Sequence, residues 1–242
     1  MSRSPAEEAQ AANVGIARAC SLGWRELAMA FNEPTQQWVE ALLQGTVTAD
    51  LSEATGWLGS DRERFAAALE MIREFVTGQE VRNVQDVLRD LKVEHARVFV
   101  GDASSLKAPP RESAYLEGDG EGAATVRGPA TLAVQEFYRR HGVQPRSPLQ
   151  VLPDHIAIEL ECMYSLSSRE RQAWEKGEVD SAETLRRAQL RFMEEHLAQW
   201  VPDFCGRVQD SAESDLYFAL ADILRELVTV ETRWAHARED DR

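Results

Sequence analysis

Apolar residues return along most of this chain at intervals of three and four, the spacing of one face of an α-helix. Trp24, Leu27, Ala28 and Phe31 form one stripe, and Phe65, Leu69, Ile72 and Val76 another. Val84, Val87, Leu88, Leu91, His95, Val98 and Phe99 keep the same period. Later come Leu185, Gln189, Phe192, Met193, His196, Leu197 and Trp200, then Leu216, Leu220, Ile223, Leu224, Leu227 and Trp234. Sustained period-two alternation between turn residues is missing, so the pattern predicts helices and no sheet. Ser60 with Glu63, Asp180 with Glu183, and Ser211 or Ser214 read as helix starts. Gly45, Gly59, Gly78, Gly142 and Gly177 read as helix ends.

One region breaks the pattern. From Gly101 to Pro129 the chain is rich in Gly, Pro, Ser and Asp. A loop of that length is usually functional or a linker. A shorter break runs from Gly142 to Pro148. The expected fold is an all-α helical bundle: an N-terminal helical subdomain (1–101), a long loop with one helix and a hinge (102–148), and a C-terminal helical subdomain (149–242), forming one integrated domain. No internal repeat is present.

Composition narrows the function classes. A chain of 242 residues with 43% hydrophobic and 28% charged residues suits a soluble globular protein with a sizeable core. The formal charge of -14 argues against nucleic acid or an anionic membrane as partner, and is compatible with a basic peptide. Cys20, Cys162 and Cys205 form no CxxC pair, which excludes a zinc knuckle or thioredoxin motif and suits a reducing compartment. The N-terminus has no apolar signal core, and no run of about 18 apolar residues exists. The expectation is a cytoplasmic protein without stable membrane insertion.

The most informative stretch is Leu152-Pro153-Asp154-His155-Ile156-Ala157-Ile158-Glu159-Leu160-Glu161-Cys162-Met163. Proline suits the first turn of a helix, and Asp suits the positive end of its dipole. His155 would then share a face with Glu159. A di-iron bundle needs Glu-x-x-His motifs, but Lys92, Leu152 and Met193 stand three residues before His95, His155 and His196. His155 and Glu159 make at most half a metal site. Neither Gly-x-Ser-x-Gly, Walker A nor Gly-x-Gly-x-x-Gly occurs, and Gly118 to Gly122 carries acids where a phosphate would sit. Cys162 reads as a buried structural cysteine. His95 and His196 read as core or boundary histidines, and Glu159 and Glu161 more readily as a solvated face. Trp24, Trp57, Trp174, Trp200 and Trp234 read as core anchors, while Trp38 and Trp57 could border a groove. No catalytic residue, metal or cofactor is expected. A helical binding module fits better than an enzyme.

Two segments carry a family resemblance. Leu152 to Leu160 resembles the E-P-x-D-H-[IL] signature of the TorD/DmsD family of redox-enzyme maturation chaperones, related to NarJ. Val93-Glu94-His95-Ala96-Arg97-Val98-Phe99-Val100-Gly101 and then Ala108-Pro109-Pro110-Arg111-Glu112-Ser113-Ala114-Tyr115 resemble the family's E-Y-x-R-L-F-V-G and P-P-Y-E-S-V-Y segments. Val151, His95 and Arg111 depart from the pattern, standing where the family carries Glu, Tyr and Tyr.

The resemblance implies a non-catalytic cytoplasmic chaperone. It would hold an apo molybdoenzyme catalytic subunit, or its twin-arginine signal peptide, until cofactor insertion and export. It would be a monomer or a homodimer, including domain-swapped forms. Asp154 and Glu159 could pair with guanidinium groups, and His155 could orient a neighbour. Pro153, Ile156, Pro110, Glu112 and Tyr115 complete the expected peptide-binding set. A helical adaptor for another client, and more distantly a metal-dependent helical enzyme, remain as alternatives.

Overall fold

The computed structural model describes residues 4–56, 59–101, 106–116, 128–144 and 152–240, and every regular element among them is helical. The helices are α1 (Pro5–Ala30), α2 (Gln36–Leu43), α3 (Thr46–Gly56), α4 (Ala66–Thr77), α5 (Val84–Phe99), α6 (Ser113–Leu116), α7 (Pro129–His141), α8 (Ile156–Lys176), α9 (Val179–Phe192), α10 (Ala198–Ser211) and α11 (Asp215–Asp240). A 3₁₀ segment, Gly59–Phe65, leads into α4, and a wide π turn, Met193–Leu197, joins α9 to α10. No β-strand occurs among the described residues, only an isolated antiparallel bridge between Arg111 and His155.

The two motif-bearing halves of the chain interlock. α1 lies along α8, α8 packs on α9, α10 on α11, and α11 reaches back to α4. One continuous core takes Trp24 and Phe31 from α1, Phe65 and Ile72 from around α4, Phe192 from α9, Trp200 and Phe204 from α10, and Leu220 and Leu227 from α11. These are the helical stripes of the sequence, and each large apolar side chain so buried contributes about 1.5–3 kcal/mol. Residues before 101 and after 149 therefore share one core. Trp38 is buried in it.

Several helix ends differ from expectation. The 3₁₀ segment intervenes after Ser60, whose side chain lies outside the described residues, and α4 starts after Phe65 without a side-chain cap. α9 likewise starts at Val179 without one, so Asp180 lies inside its first turn. Ser214 does open α11, its Oγ accepting from the Leu216 N–H at 3.3 Å. Gly142 and Gly177 end α7 and α8 in the left-handed conformation, at φ 61° and 74°, which glycine adopts without a Cβ clash. Trp57, Val151, Gly118 to Gly122 and Pro145 to Pro148 lie outside the described residues, as does the Trp234 side chain.

α1 and α3 approach closely at Gly23, where a Cβ would stand 3.0 Å from Ala54 Cβ and 3.7 Å from Leu227 Cδ2. A branched side chain there would force the two helices apart. Gly23→Val should lose about 1–3 kcal/mol of stability despite its lower unfolded-state entropy. Urea denaturation checks this; an unchanged midpoint would show that the contact gives way freely.

Candidate functional site

The site is built where residues 106–116, here called the strap, cross the start of α8. The strap leaves α5 with the Ala108 N–H donating to the Val98 carbonyl at 3.2 Å. Pro109 and Pro110 hold it extended, since their rings fix φ. Pro110 gives its carbonyl to the Ile156 N–H, and the Asp154 carbonyl accepts from the Glu112 N–H, each at 2.9 Å. The Asp154 side chain reaches back across the same pairing, with Oδ2 accepting from the Ser113 N–H at 3.2 Å. The Tyr138 hydroxyl fixes the other side of the turn, donating to the Pro153 carbonyl at 3.0 Å.

Pro153 is not the first helical residue. Pro153 and Asp154 form a turn, and α8 begins at Ile156 with His155 as its N-cap. The imidazole Nδ1 accepts from the Ala157 N–H at 3.2 Å, while the His155 carbonyl accepts from Glu159 N–H at 3.0 Å. An accepting Nδ1 must be unprotonated. Burial, with His95 and Arg111 adding to it, pushes the His155 pKa down to about 4, against a smaller opposing pull from Asp154. His155 is therefore a neutral capping group at neutral pH.

The candidate acids are dry. Asp154 and Glu159 are 0% exposed and Glu112 is 1% exposed. Glu159 does not lie on a solvated face. Its Oε2 accepts from Trp200 Nε1 at 3.2 Å, and the Glu112 carboxyl lies in hydrogen-bonding reach. Both Glu112 oxygens stand 3.1 Å from His196 Nδ1, which the π turn carries into the core. As two ionised groups, Glu112 and Glu159 could only face each other as acceptors. Glu159 Oε1 and Asp154 Oδ1 are indeed buried without a donor. Desolvation first, and the Glu112 charge second, push the Glu159 pKa well above the ordinary 4.5. A proton on Glu159 converts the repulsive contact into a carboxyl–carboxylate hydrogen bond.

Tyr115 lies at the open edge of this seat. Its ring is 5.3 Å from that of Trp200, with the Arg207 guanidinium 5.0 Å above it. Its hydroxyl is buried without a hydrogen-bond partner. Pro153, His155 and Tyr115 are partly exposed, while Pro110 and Ile156 are buried. The structure thus brings every expected site residue to one place, with the acids beneath and three partly exposed groups at the rim.

The second motif has a different task. Glu94 Oε1 accepts from the Glu213 and Ser214 N–H groups at 2.7 and 3.1 Å, capping the approach to α11. Arg97 grips Glu94 with two bonds of 2.8 Å. This clamp ties α5 to the last helix and leaves His95 buried beside Phe99.

A family model described as "Nitrate reductase delta subunit" matches residues 59–206, well over half of the chain and all of the strap and seat. The chain belongs to this family. It is 27% identical over 206 residues to "Chaperone protein TorD" of Photobacterium profundum, covering 81% of this chain and 91% of that protein. It is 31% identical over 97 residues to a "Perchlorate reductase assembly chaperone protein" of Dechloromonas aromatica, covering 40% and 42% of the two chains. A "Selenate reductase assembly chaperone protein" of Thauera selenatis is 35% identical over 90 residues, covering 36% and 46%. A solved structure titled as a redox enzyme maturation protein of Archaeoglobus fulgidus aligns with TM-score 0.47 and 19% identity, over 86% of this chain and 93% of that one.

The seat includes His196 and Trp200, which the sequence placed among core positions, and Tyr138, which it did not single out. His196, Trp200 and Tyr138 supply its hydrogen bonds. A histidine on an otherwise apolar stripe was a signal that a buried polar partner existed; its identity as Glu112, 84 residues away, was not readable. No group of three or more His, Cys, Asp or Glu among the described residues is arranged to hold a metal ion.

Glu159 and His155 tilt stability in opposite directions with pH. Below the ordinary glutamate pKa both folded and unfolded chains hold the Glu159 proton, so no penalty arises. As pH rises through the raised folded pKa, stability is progressively lost. The depressed His155 pKa does the reverse, removing stability as pH falls from about 6.5 toward 4. Glu159→Gln keeps a donor for Glu112 and an acceptor for Trp200. From pH 5 to 8 the wild type should lose stability relative to this variant, since the His155 contribution cancels in the difference. Parallel urea-midpoint curves would show that Glu159 is not neutral in the fold.

Proposed function

We propose that this chain is a cytoplasmic maturation chaperone that holds the apo catalytic subunit of a molybdopterin-dependent oxidoreductase, or its twin-arginine signal peptide, until the cofactor is inserted. The reading assigns the chain no reaction of its own. One observation carries it: the strap and the start of α8, the two segments with the motifs, meet at a seat holding buried polar atoms without partners. Asp154 Oδ1, Glu159 Oε1 and the Tyr115 hydroxyl are those atoms. Oxygens in this state favour an incoming donor, because each lacks a hydrogen bond that water would otherwise supply. A guanidinium offers planar paired donors. Pro153, His155 and Tyr115 form the partly exposed rim that such a peptide would meet first.

Two further facts support the reading. The relatives above bear names of assembly chaperones for reductases. The net charge of -14 favours encounter with a basic segment. No described helix is long and apolar enough to cross a membrane.

Affinity capture from cells grown with molybdate tests the client: recovery of a molybdoenzyme precursor is expected, and a different stable partner would overturn the reading. Calorimetry with that precursor's twin-arginine peptide tests the site. Asp154→Asn with His155→Ala should bind at least about tenfold more weakly, equivalent to 1.4 kcal/mol, with helicity unchanged. Equal affinity would remove these residues from the site.

A further inference from the structure

The donors that bond the buried carboxyl pair and its neighbours are each in use, and the Tyr115 hydroxyl, itself without a partner, bonds neither acid. His196 Nδ1 serves Glu112 and Trp200 Nε1 serves Glu159. The Tyr138 hydroxyl is spent on the Pro153 carbonyl, and the Ser113 N–H on Asp154. Cys162, one turn along α8, is a thiol that burial keeps protonated and neutral. Arg111 on the strap acts on His155, and the Asp154 charge adds to that of Glu112 on Glu159. Among the described residues no donor bonds Glu159 Oε1, and a proton of its own, given to Glu112, would make that bond.

We propose that the strap is a latch closed by that proton: Glu159 donates to Glu112 when protonated, and loss of the proton drives Glu112 out and lifts the strap from α8. Glu112 is a fully buried acid of the strap, 1% exposed, and the strap is otherwise tied to the α8 start by the Ile156, Glu112 and Ser113 N–H bonds. With the latch closed, two carboxyls share one proton in a dry space. With it open, both are hydrated and ionised. Opening releases a proton, so a rise in pH favours the open form by about tenfold per unit between the ordinary glutamate range and the raised closed-state value. Lifting the strap uncovers Asp154 and Glu159 beside Trp200, an acidic and apolar bed for a cationic segment. Client loading at this seat is then proton-linked, a regulation that rests on the peptide-binding reading above; the latch itself does not.

Amide hydrogen exchange tests the latch without any client. Between pH 6 and 8, after correction for intrinsic exchange, the Glu112, Ser113 and Ile156 amides should open at lower free energy than core amides such as Leu220. Their protection should fall about tenfold per pH unit. Glu159→Gln should remove that slope, and Glu112→Gln, which takes away the repelling charge, should flatten it as well. Strap amides that exchange only with the core, or a slope that survives in Glu159→Gln, would overturn the latch. Fluorescence titration with a synthetic twin-arginine peptide tests the coupling. Affinity should rise with pH in the wild type and stay level in Glu159→Gln. A pH-independent affinity overturns the coupling, whereas no binding at any pH overturns the client reading and leaves the latch standing.

Discussion

Glu112 and Glu159 are both buried at the seat, and in the proposed latch the strap stays closed over them when one of the two is neutral. Much of the local structure serves that contact. The prolines hold the strap extended so that Glu112 points inward. The π turn brings His196 to its far side, and Trp200 supplies a donor to Glu159 from the next helix. Replacing the pair by apolar groups would remove the electrostatic liability, since buried ionisable groups are weak stabilisers. In the proposed latch the acids provide instead specificity of docking and sensitivity to charge: a strap that fits one seat and responds when a proton or a cation changes the balance.

That arrangement gives the net acidity of the chain a local meaning. Surface charge steers a basic segment toward the protein and acts on encounter rates more than on final affinity. The decisive negative groups are not on the surface. In the proposed latch they lie beneath the strap, so a client would have to compete with it. A binding site that is covered at rest discriminates against loose basic peptides, because only a partner with enough apolar and cationic contact offsets the cost of uncovering it.

The helices were legible because their stripes are long and regular: Trp24 to Phe31, Val84 to Phe99 and Leu216 to Leu227 all face the core. The meeting of the Pro-Asp-His start with the Pro109-Pro110 segment was legible too. What eluded the sequence was depth. An acid at helical spacing ordinarily faces water, and nothing local marks Glu159 as fully enclosed. The enclosure comes from the strap, whose segment joins it only in three dimensions, some 40 residues after its own place in the chain. The role of His155 also turned on one position of helix register. Read inside the helix it shares a face with Glu159; as the N-cap it gives its Nδ1 lone pair to the Ala157 N–H. The cap expected at Asp180 failed for a related reason, since an uncapped helix start carries no composition signal.

The charge of Glu159 in the closed protein decides the account, and it can be observed directly. Carbon-13 NMR of the Glu159 side-chain carboxyl, assigned by comparison with Glu159→Gln, reports whether the group holds its proton. The account predicts a protonated carboxyl at neutral pH, titrating well above the ordinary glutamate range. A carboxyl already ionised at pH 7 in the folded protein would contradict it.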